Sequence, residues 1–172
     1  MKVDNVTGSA SASSALAPLP TPLKGWQQVG ELLLRLLLAD FFTLYFKTKN
    51  FHWHMSGAHF RDYHLLEEQA EELFEATDAI AERARKMGET TLRSIGDIAR
   101  YQRLTDADAS ENDAVSMLRV LCNDNNALAK FMREAHEVCD ATGDLATASL
   151  LENWIDEAER RSWFLSATVN AG

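Results

Sequence analysis

Long stretches without proline decide what this sequence can fold into. All three prolines lie within the first 22 residues, and proline is the residue that most effectively breaks a helix. Beyond them, apolar residues recur at helical spacing, and no alternating pattern typical of strands repeats. Four long helices are predicted, over about residues 24–50, 59–86, 111–140 and 145–169. The predicted fold class is therefore all-α.

The connection between the second and third helices indicates the topology. Residues 89–113 should contain a short helix over about 95–101, because Ile95, Ile98 and Ala99 recur at helical spacing. A connection of this length crosses from one half of a helical bundle to the other. A four-helix bundle with one such crossover, here carrying a short helix, is the ferritin-like architecture. We expect the second helix to bury Leu66, Leu73, Phe74, Ala76 and Ile80 in this bundle.

Length and charge limit the class of protein. A chain of 172 residues can form one domain with a real core. We expect that domain over residues 24–170, after a disordered tail over residues 1–23 that is rich in Ala, Ser, Thr and Pro. The net charge of −9 argues against a broad nucleic-acid surface and favours cations as partners. Because the tail lacks the basic start and apolar core of a signal peptide, we expect a cytoplasmic protein.

One apolar segment, residues 32–46, needs to be distinguished from a membrane span. It is only fifteen residues long, and Arg35 and Asp40 interrupt it. A membrane span needs about 20 apolar residues. We therefore interpret this segment as a buried helix. Cys122 and Cys139 fit no metal-binding or redox spacing and are predicted to be buried free thiols.

The chemistry is expected in residues 51–83, which read FHWHMSGAHFRDYHLLEEQAEELFEATDAIAER. The first fourteen of these residues contain four of the five histidines, namely His52, His54, His59 and His64. Carboxylates follow at helical spacing. At about 100° per residue, an imidazole and several carboxylates share one helix face, formed by His64, Glu67, Glu68, Asp78 and Glu82. This pattern predicts a semi-buried metal site, and its alternative is a solvated acidic face with an incidental histidine.

The mixture of nitrogen and oxygen ligands narrows the choice of metal. It suits iron, manganese or zinc better than calcium, which prefers oxygen alone. Di-iron bundles usually take Glu-x-x-His motifs from two helices of one chain, but no glutamate lies three residues before any histidine here. If the bundle binds iron, the remaining route combines a histidine from the end of helix one with carboxylates from helix two of a neighbouring subunit.

Several segments of the sequence resemble one known family. KNFHWHMSGAHFRDYHLL, EEQAEELFEATDAIAER, TTLRSIGDIA and DLATASLLENWIDEAERRSWFL look like segments of the Dps family, the DNA-binding proteins from starved cells. The similarity covers about residues 25–168, and its central motif is H-W-x-x-x-G followed by D-x-x-x-E-R. The resemblance implies a stress-response protein: a ferritin-like bundle that assembles into a hollow dodecamer. It further implies a ferroxidase that oxidises Fe(II), preferably with hydrogen peroxide, and stores ferric mineral inside.

The resemblance also implies which residues bind and oxidise iron. His52 and His64 match the family's two histidines, and Asp78 and Glu82 match its D-x-x-x-E pair. In that family the di-iron ferroxidase site lies at a dimer interface. The expected catalytic residues are therefore His52, Asp78 and Glu82, supplied by two chains.

A missing residue leaves the last ligand open. The family usually has an Asp four residues after the second histidine and eleven residues before the next ligand Asp, whereas only fourteen residues separate His64 from Asp78 here. Glu67 lies eleven residues before Asp78, which is the family's spacing to that ligand. Glu68 lies four residues after His64, which is the family's spacing from the second histidine. On a regular helix Glu67 lies within about 20° of Asp78, so we favour Glu67. A local irregularity in the helix would instead make Glu68 the ligand.

Other family features transfer less directly. DNA binding in the family is often attributed to lysine-rich tails, and only Lys2 precedes Lys24 here, so weak or absent DNA binding is expected. The alternatives are a nucleoid-associated DNA-binding protein with a secondary metal site, and a purely structural helical oligomer. Asp140 and Asp144 are candidates either for an acidic pore that attracts Fe(II) or for helix caps.

Four further side chains near or outside the proposed site also need an interpretation. Trp53 follows His52 and is either a core aromatic or, as the resemblance suggests, a residue beside the site that intercepts stray oxidant. His54 and His59 are better suited to turn or interface positions than to ligation. His136 stands apart on the third helix and is predicted to be structural.

Overall fold

The computed structural model describes residues 26–56, 64–107 and 113–170. These residues form five helices, which are α1 (Trp26–His54), α2 (Leu65–Lys86), α3 (Ile95–Tyr101), α4 (Ala114–Thr142) and α5 (Leu145–Asn170). The predicted tail over residues 1–23 and the predicted helix starts at Lys24, His59 and Glu111 lie outside the described residues. None of the described helices is long and apolar enough to cross a membrane.

The four long helices form two antiparallel pairs that face each other across one core. α1 packs mainly on α2, and α4 packs mainly on α5, while α1 also contacts α4. Leucine and phenylalanine side chains from all four helices fill the space between the pairs, and the largest fully buried ones include Phe41, Leu73, Leu121 and Leu151. The predicted four-helix bundle with a short helix in the crossover is confirmed.

Helix ends follow local sequence signals. Asp113 caps α4, since its carboxylate accepts a hydrogen bond from the backbone N–H of Ser116 at 2.9 Å. α4 ends at Gly143, whose φ of 73° lies in the left-handed region that glycine adopts most easily. Asp144 then caps α5 by accepting from the backbone N–H of Thr147 at 3.2 Å. Consequently α4 and α5 form a tight hairpin.

The two charged residues that interrupt the apolar part of α1 hold the crossover in place. Asp40 is fully buried and accepts hydrogen bonds from the backbone N–H groups of Arg103 at 2.6 Å and Leu104 at 3.1 Å. The guanidinium of Arg103 also donates to Asp40 at 2.7 Å. Arg35 donates to the hydroxyl of Thr90 at 2.9 Å and lies against Tyr101. These polar side chains therefore anchor both ends of the crossover on α1.

Some apolar side chains are not buried within the single chain, and two of them, Phe74 and Cys122, were predicted to be buried. Phe74 is 53% exposed, and its ring packs at a tilt against Tyr45 with the ring centroids 5.2 Å apart. α3 buries none of its side chains, and Ile95 is 81% exposed. Cys139 is buried, whereas Cys122 is only half-buried, and both thiols are free. Helical periodicity correctly predicted which helix faces are apolar. It could not predict whether other residues of the same chain bury those faces.

A guanidinium occupies the middle of the bundle. Arg161 is 1% exposed, and its Nε donates to the side-chain oxygen of Asn125 at 2.8 Å. Its Nη1 lies 3.4 Å from Glu72, which also pairs with Arg160 at 2.9 Å. Burial raises the pKa of the nearby Glu157 above its ordinary value. The bundle interior thus carries a fixed positive charge between α2, α4 and α5.

Candidate metal centre

The end of α1 and the start of α2 bring two histidines to one carboxylate. Oε2 of Glu67 lies 3.1 Å from Nδ1 of His64 and 4.0 Å from Nε2 of His52. The two imidazole rings are stacked, with centroids 6.3 Å apart. His64 and Glu67 meet because residues three apart share a helix face. His52 reaches them because α1 and α2 are antiparallel neighbours.

The second oxygen of Glu67 faces a lysine. Nζ of Lys49 lies 3.6 Å from Oε1, and the lysine side chain is only 18% exposed. Lys49 precedes His52 by three residues on α1, so both side chains project toward the start of α2. Sequence reasoning did not single out Lys49, because its approach to Glu67 depends on how α1 and α2 are rotated about their axes.

Glu67 and Glu68 occupy different positions. Glu68 is exposed. Among the described residues, the ion pairs that join α1 to the start of α2 are made by Glu67 and not by Glu68. The geometry therefore places Glu67 beside the two histidines, in agreement with the preferred helical alignment.

Asp78 and Glu82 lie farther along α2 and are both exposed. Glu82 pairs with Lys86 at 2.8 Å, and this hydrogen bond and the lysine charge lower the pKa of Glu82. Asp78 borders a shallow groove between α1 and α2, lined by Phe42, Phe74, Glu75, Thr77 and Ala81. This second group of carboxylates is thus open to solvent in the single chain.

One chain does not bring the two groups together. Eleven residues of helix separate Glu67 from Asp78, which corresponds to about 16 Å along the axis. Among the described residues of a single chain, no three His, Cys, Asp or Glu side chains are grouped so that they could hold a metal ion. We name Lys49, His52, His64 and Glu67 the histidine half-site, and Asp78 and Glu82 the carboxylate half-site.

Two aromatic residues beside the histidine half-site are exposed. Trp53 is 59% exposed and packs edge-on against Phe46, which is 63% exposed. The interpretation of Trp53 as a core aromatic is therefore wrong for the single chain. His54 is exposed, and its Nδ1 lies 2.8 Å from the carbonyl oxygen of Asn50. His59 lies outside the described residues.

The remaining candidates have local partners. His136 lies between Asp140, at 3.3 Å, and Glu152, at 3.1 Å, so it links α4 to α5 as a structural residue would. Asp144 caps α5 and pairs with Arg83 at 2.6 Å. Burial alone would raise the pKa of Asp144, but hydrogen bonds from Thr147 and the charge of Arg83 lower it on balance. The cap is thus the role that the contacts of Asp144 support.

Comparison with known proteins agrees with the fold. A family profile described as a ferritin-like domain matches residues 31–172, which identifies the class of protein. DNA protection during starvation protein 1 of Deinococcus radiodurans is 32% identical over 148 residues, covering 86% of this chain and 71% of the relative. The DNA protection during starvation protein of Brevibacillus brevis is 31% identical, covering 82% and 95% respectively. The chain belongs to the Dps family.

A solved structure supports the same assignment. The Dps protein of Vibrio cholerae O1, described as a member of a broad superfamily of ferritin-like diiron-carboxylate proteins, superimposes with a TM-score of 0.80 at 27% identity. The superposition covers 90% of this chain and 98% of the Vibrio protein. The similarity therefore extends over nearly the whole bundle.

Proposed function

We propose that this protein is a ferroxidase that oxidises Fe(II), stores the product as ferric mineral inside a closed homo-oligomer, and so protects the cell against oxidative damage. The observation that carries the proposal is the oxygen of Glu67 that faces both His64 and His52. An imidazole and carboxylate donor set of this kind fits ferrous and ferric iron. Membership in the Dps family supports the same class of function.

The proposed centre combines the histidine half-site of one chain with the carboxylate half-site of a second copy. The two half-sites lie too far apart to act together within one chain. Their surroundings are complementary, because the histidine half-site has the exposed ring of Trp53 beside it and the carboxylate half-site borders an apolar groove. Lys49 also brings positive charge to the carboxylates of Asp78 and Glu82. A two-fold pairing of copies would generate two complete centres.

The donor groups suggest how oxidation proceeds. Imidazole nitrogens bind the ferrous substrate, and carboxylate charge stabilises the ferric product. Two ferrous ions held side by side can each give one electron to the same hydrogen peroxide molecule. With two protons, this transfer yields two water molecules and no hydroxyl radical. For this reason we propose hydrogen peroxide as the preferred oxidant.

Assembly is part of the proposal, since the described residues of one chain do not form a complete centre. We expect a dodecamer, and light scattering of the purified protein measures its mass directly. A monomer or an isolated dimer at micromolar concentration would contradict the proposed cage.

Activity is tested by adding Fe(II) anaerobically, then hydrogen peroxide, and following the rise of ferric absorbance. We expect rapid oxidation by the natural protein and slow oxidation by His52→Ala. The matched control is His136→Ala, which removes a histidine far from either half-site. Equal rates for all three proteins would overturn the proposal and favour a purely structural oligomer.

DNA binding is not included in the proposed function, because the net charge of −9 opposes it. Weak or absent binding therefore stays a prediction. A mobility-shift assay at two salt concentrations tests it, since electrostatic binding to DNA weakens steeply with salt. Strong binding at the higher salt concentration would restore the nucleoid-associated alternative.

A further inference from the structure

We propose that residues 15–19, whose sequence is ALAPL, dock in an apolar groove between α1 and α3 of the same chain. These residues belong to the N-terminal segment that precedes the described part of the chain. We call the groove the α1–α3 groove, and its volume is about 510 Å³. Among the described residues that line it, none belongs to the histidine or the carboxylate half-site. The inference is therefore independent of the proposed iron chemistry.

The walls of the α1–α3 groove are apolar and partly open to solvent in the single chain. α1 contributes Phe42, Tyr45 and Phe46, and α3 contributes Ile95 and Ile98. Phe46 is 63% exposed, and Ile95 is 81% exposed. Exposed aromatic and aliphatic side chains that line one concave surface mark a place where another apolar group binds. The α1–α3 groove thus fits an apolar occupant.

The polar groups of the groove already have partners. Lys47 is 4% exposed, and its Nζ forms an ion pair with Asp124 at 2.7 Å. The hydroxyl of Thr43 donates to the side-chain oxygen of Gln102 at 3.1 Å. Asp106 is exposed, so water solvates its charge. Because these groups leave no unbalanced buried charge, an uncharged occupant fits the groove better than an ion.

Residues 15–23 have the composition that such an occupant needs. They read ALAPLPTPL and contain all three prolines of the chain. No charged side chain occurs between residues 5 and 23. Closely spaced prolines favour the extended polyproline II conformation. Grooves lined by aromatic side chains recognise segments of this kind, because a preformed polyproline II segment loses little conformational entropy on binding.

The length of the connection places the apolar residues at the groove. Along α1, Phe42 and Phe46 lie about 24 and about 30 Å from Trp26, given the helical rise. Pro18 and Leu16 precede Trp26 by eight and ten residues. A polyproline II segment of these lengths spans about 25 and about 31 Å. A segment that folds back along α1 therefore brings Pro18 to Phe42 and Leu16 to Phe46.

The same register ends the apolar contact where the groove ends. Asn50 is the last residue of α1 that lines the groove, and it lies about 36 Å from Trp26 along the helix. Ser14 precedes Trp26 by twelve residues, which span about 37 Å as polyproline II. The polar residues Ser13 and Ser14 thus fall at the polar end of the groove, and the apolar residues that follow them fall on its aromatic wall.

A disulfide tests this register in the assembled, full-length protein. Ser14→Cys and Asn50→Cys are introduced together after Cys122→Ser and Cys139→Ala have removed the natural thiols. We expect an intrachain disulfide to form about ten-fold faster than with the control pair Thr7→Cys and Asn50→Cys, because docking raises the effective concentration of the two thiols. Electrophoresis without reductant separates cyclised monomers, open monomers and covalent dimers.

Dye binding tests whether the apolar residues cover the groove. The double variant Leu16→Ser and Leu19→Ser should uncover it and raise the fluorescence of anilinonaphthalene sulfonate, a dye that binds exposed apolar surface. Adding Ala99→Leu, which fills the groove from α3, should abolish that rise. Ala141→Leu is the matched control, since it makes the same change at an exposed position of α4 and should leave the rise intact.

Every other outcome overturns the proposal. Equal rates of disulfide formation for the two pairs would show that residues 15–19 do not dock in this register. Covalent dimers in place of cyclised monomers would assign the segment to the groove of a second copy. Unchanged fluorescence in the double-serine variant would show that another group, such as the side chains of a second copy, fills the groove. None of these results bears on iron oxidation, which His52→Ala tests separately.

Discussion

Nδ1 of His64 and Oε2 of Glu67 lie 3.1 Å apart at the start of α2. Because Glu68 is exposed and takes no part in this contact, we predict different effects for two equivalent substitutions. Glu67→Gln should weaken ferrous binding at least about ten-fold, which corresponds to about 1.4 kcal/mol. Glu68→Gln should change it less than about three-fold. Anaerobic Fe(II) titration measures both values, and a larger loss for Glu68→Gln would contradict the assignment.

Mixed oligomers test whether the centre is shared between chains. His52→Ala and Asp78→Ala should each abolish rapid Fe(II) oxidation while leaving assembly intact, since each removes one half-site. When the two variants are unfolded together and reassembled, some interfaces pair an intact histidine half-site with an intact carboxylate half-site. About a quarter of the centres should then be whole if pairing is random. If no mixture regains activity, the inter-subunit arrangement is wrong.

The Arg83–Asp144 pair makes stability depend on pH in a defined direction. Asp144→Asn keeps a good helix cap but loses the charge interaction, so we expect a decrease of about 1 kcal/mol in the free energy of unfolding at pH 7. Because the pKa of Asp144 is lowered in the folded protein, its contribution is present above the unfolded pKa. That contribution is lost as pH falls from about 4 through the folded pKa.

Urea unfolding of both proteins at pH 7 and at a series of lower pH values, at one protein concentration, measures this difference. Glu134→Gln is a suitable control, since Glu134 forms an exposed pair with Lys130 and should show almost no effect. A difference between Asp144→Asn and the natural protein that does not shrink as pH falls below the ordinary pKa of an aspartate would contradict the charge interpretation.

The turn between α4 and α5 depends on a backbone conformation. Gly143 has a φ of 73°, and a Cβ atom there would meet no atom within 4 Å. Gly143→Ala should therefore lower the free energy of unfolding by about 1 kcal/mol through backbone strain alone. Gly96→Ala, within α3, should be neutral or slightly stabilising, since its Cβ would lie 3.6 Å from the nearest atom. Thermal unfolding compares the two, and equal losses would contradict the assignment of strain to Gly143.

The sequence predicted the helices well because their signals are local. The short helix was expected over residues 95–101 and is observed as Ile95–Tyr101. The predicted break between residues 140 and 145 is observed as the turn at Gly143, and His64 and Glu67, which were placed on one helix face by their spacing, lie in contact. In each case the relevant residues are close in sequence, so helical geometry alone determines their relation.

Contacts between helices could not be predicted in the same way. The approach of Lys49 to Glu67 depends on how α1 and α2 are rotated about their axes, and no local spacing determines that rotation. The exposure of Phe74 has a related cause, because an apolar helix position can face either its own core or another copy. Whether the two half-sites form one centre depends on assembly, which one chain does not determine.

The buried guanidinium of Arg161 has a consequence for protein redesign. Its Nε is satisfied by Asn125 and its charge is balanced by Glu72, so the three side chains form one electrostatic unit. Grafting Glu-x-x-His motifs onto the inner helix faces would place a divalent cation beside a positive charge that has no route to solvent. Conversion of this bundle into one with an internal metal centre therefore requires the arginine and both of its partners to be replaced in the same step.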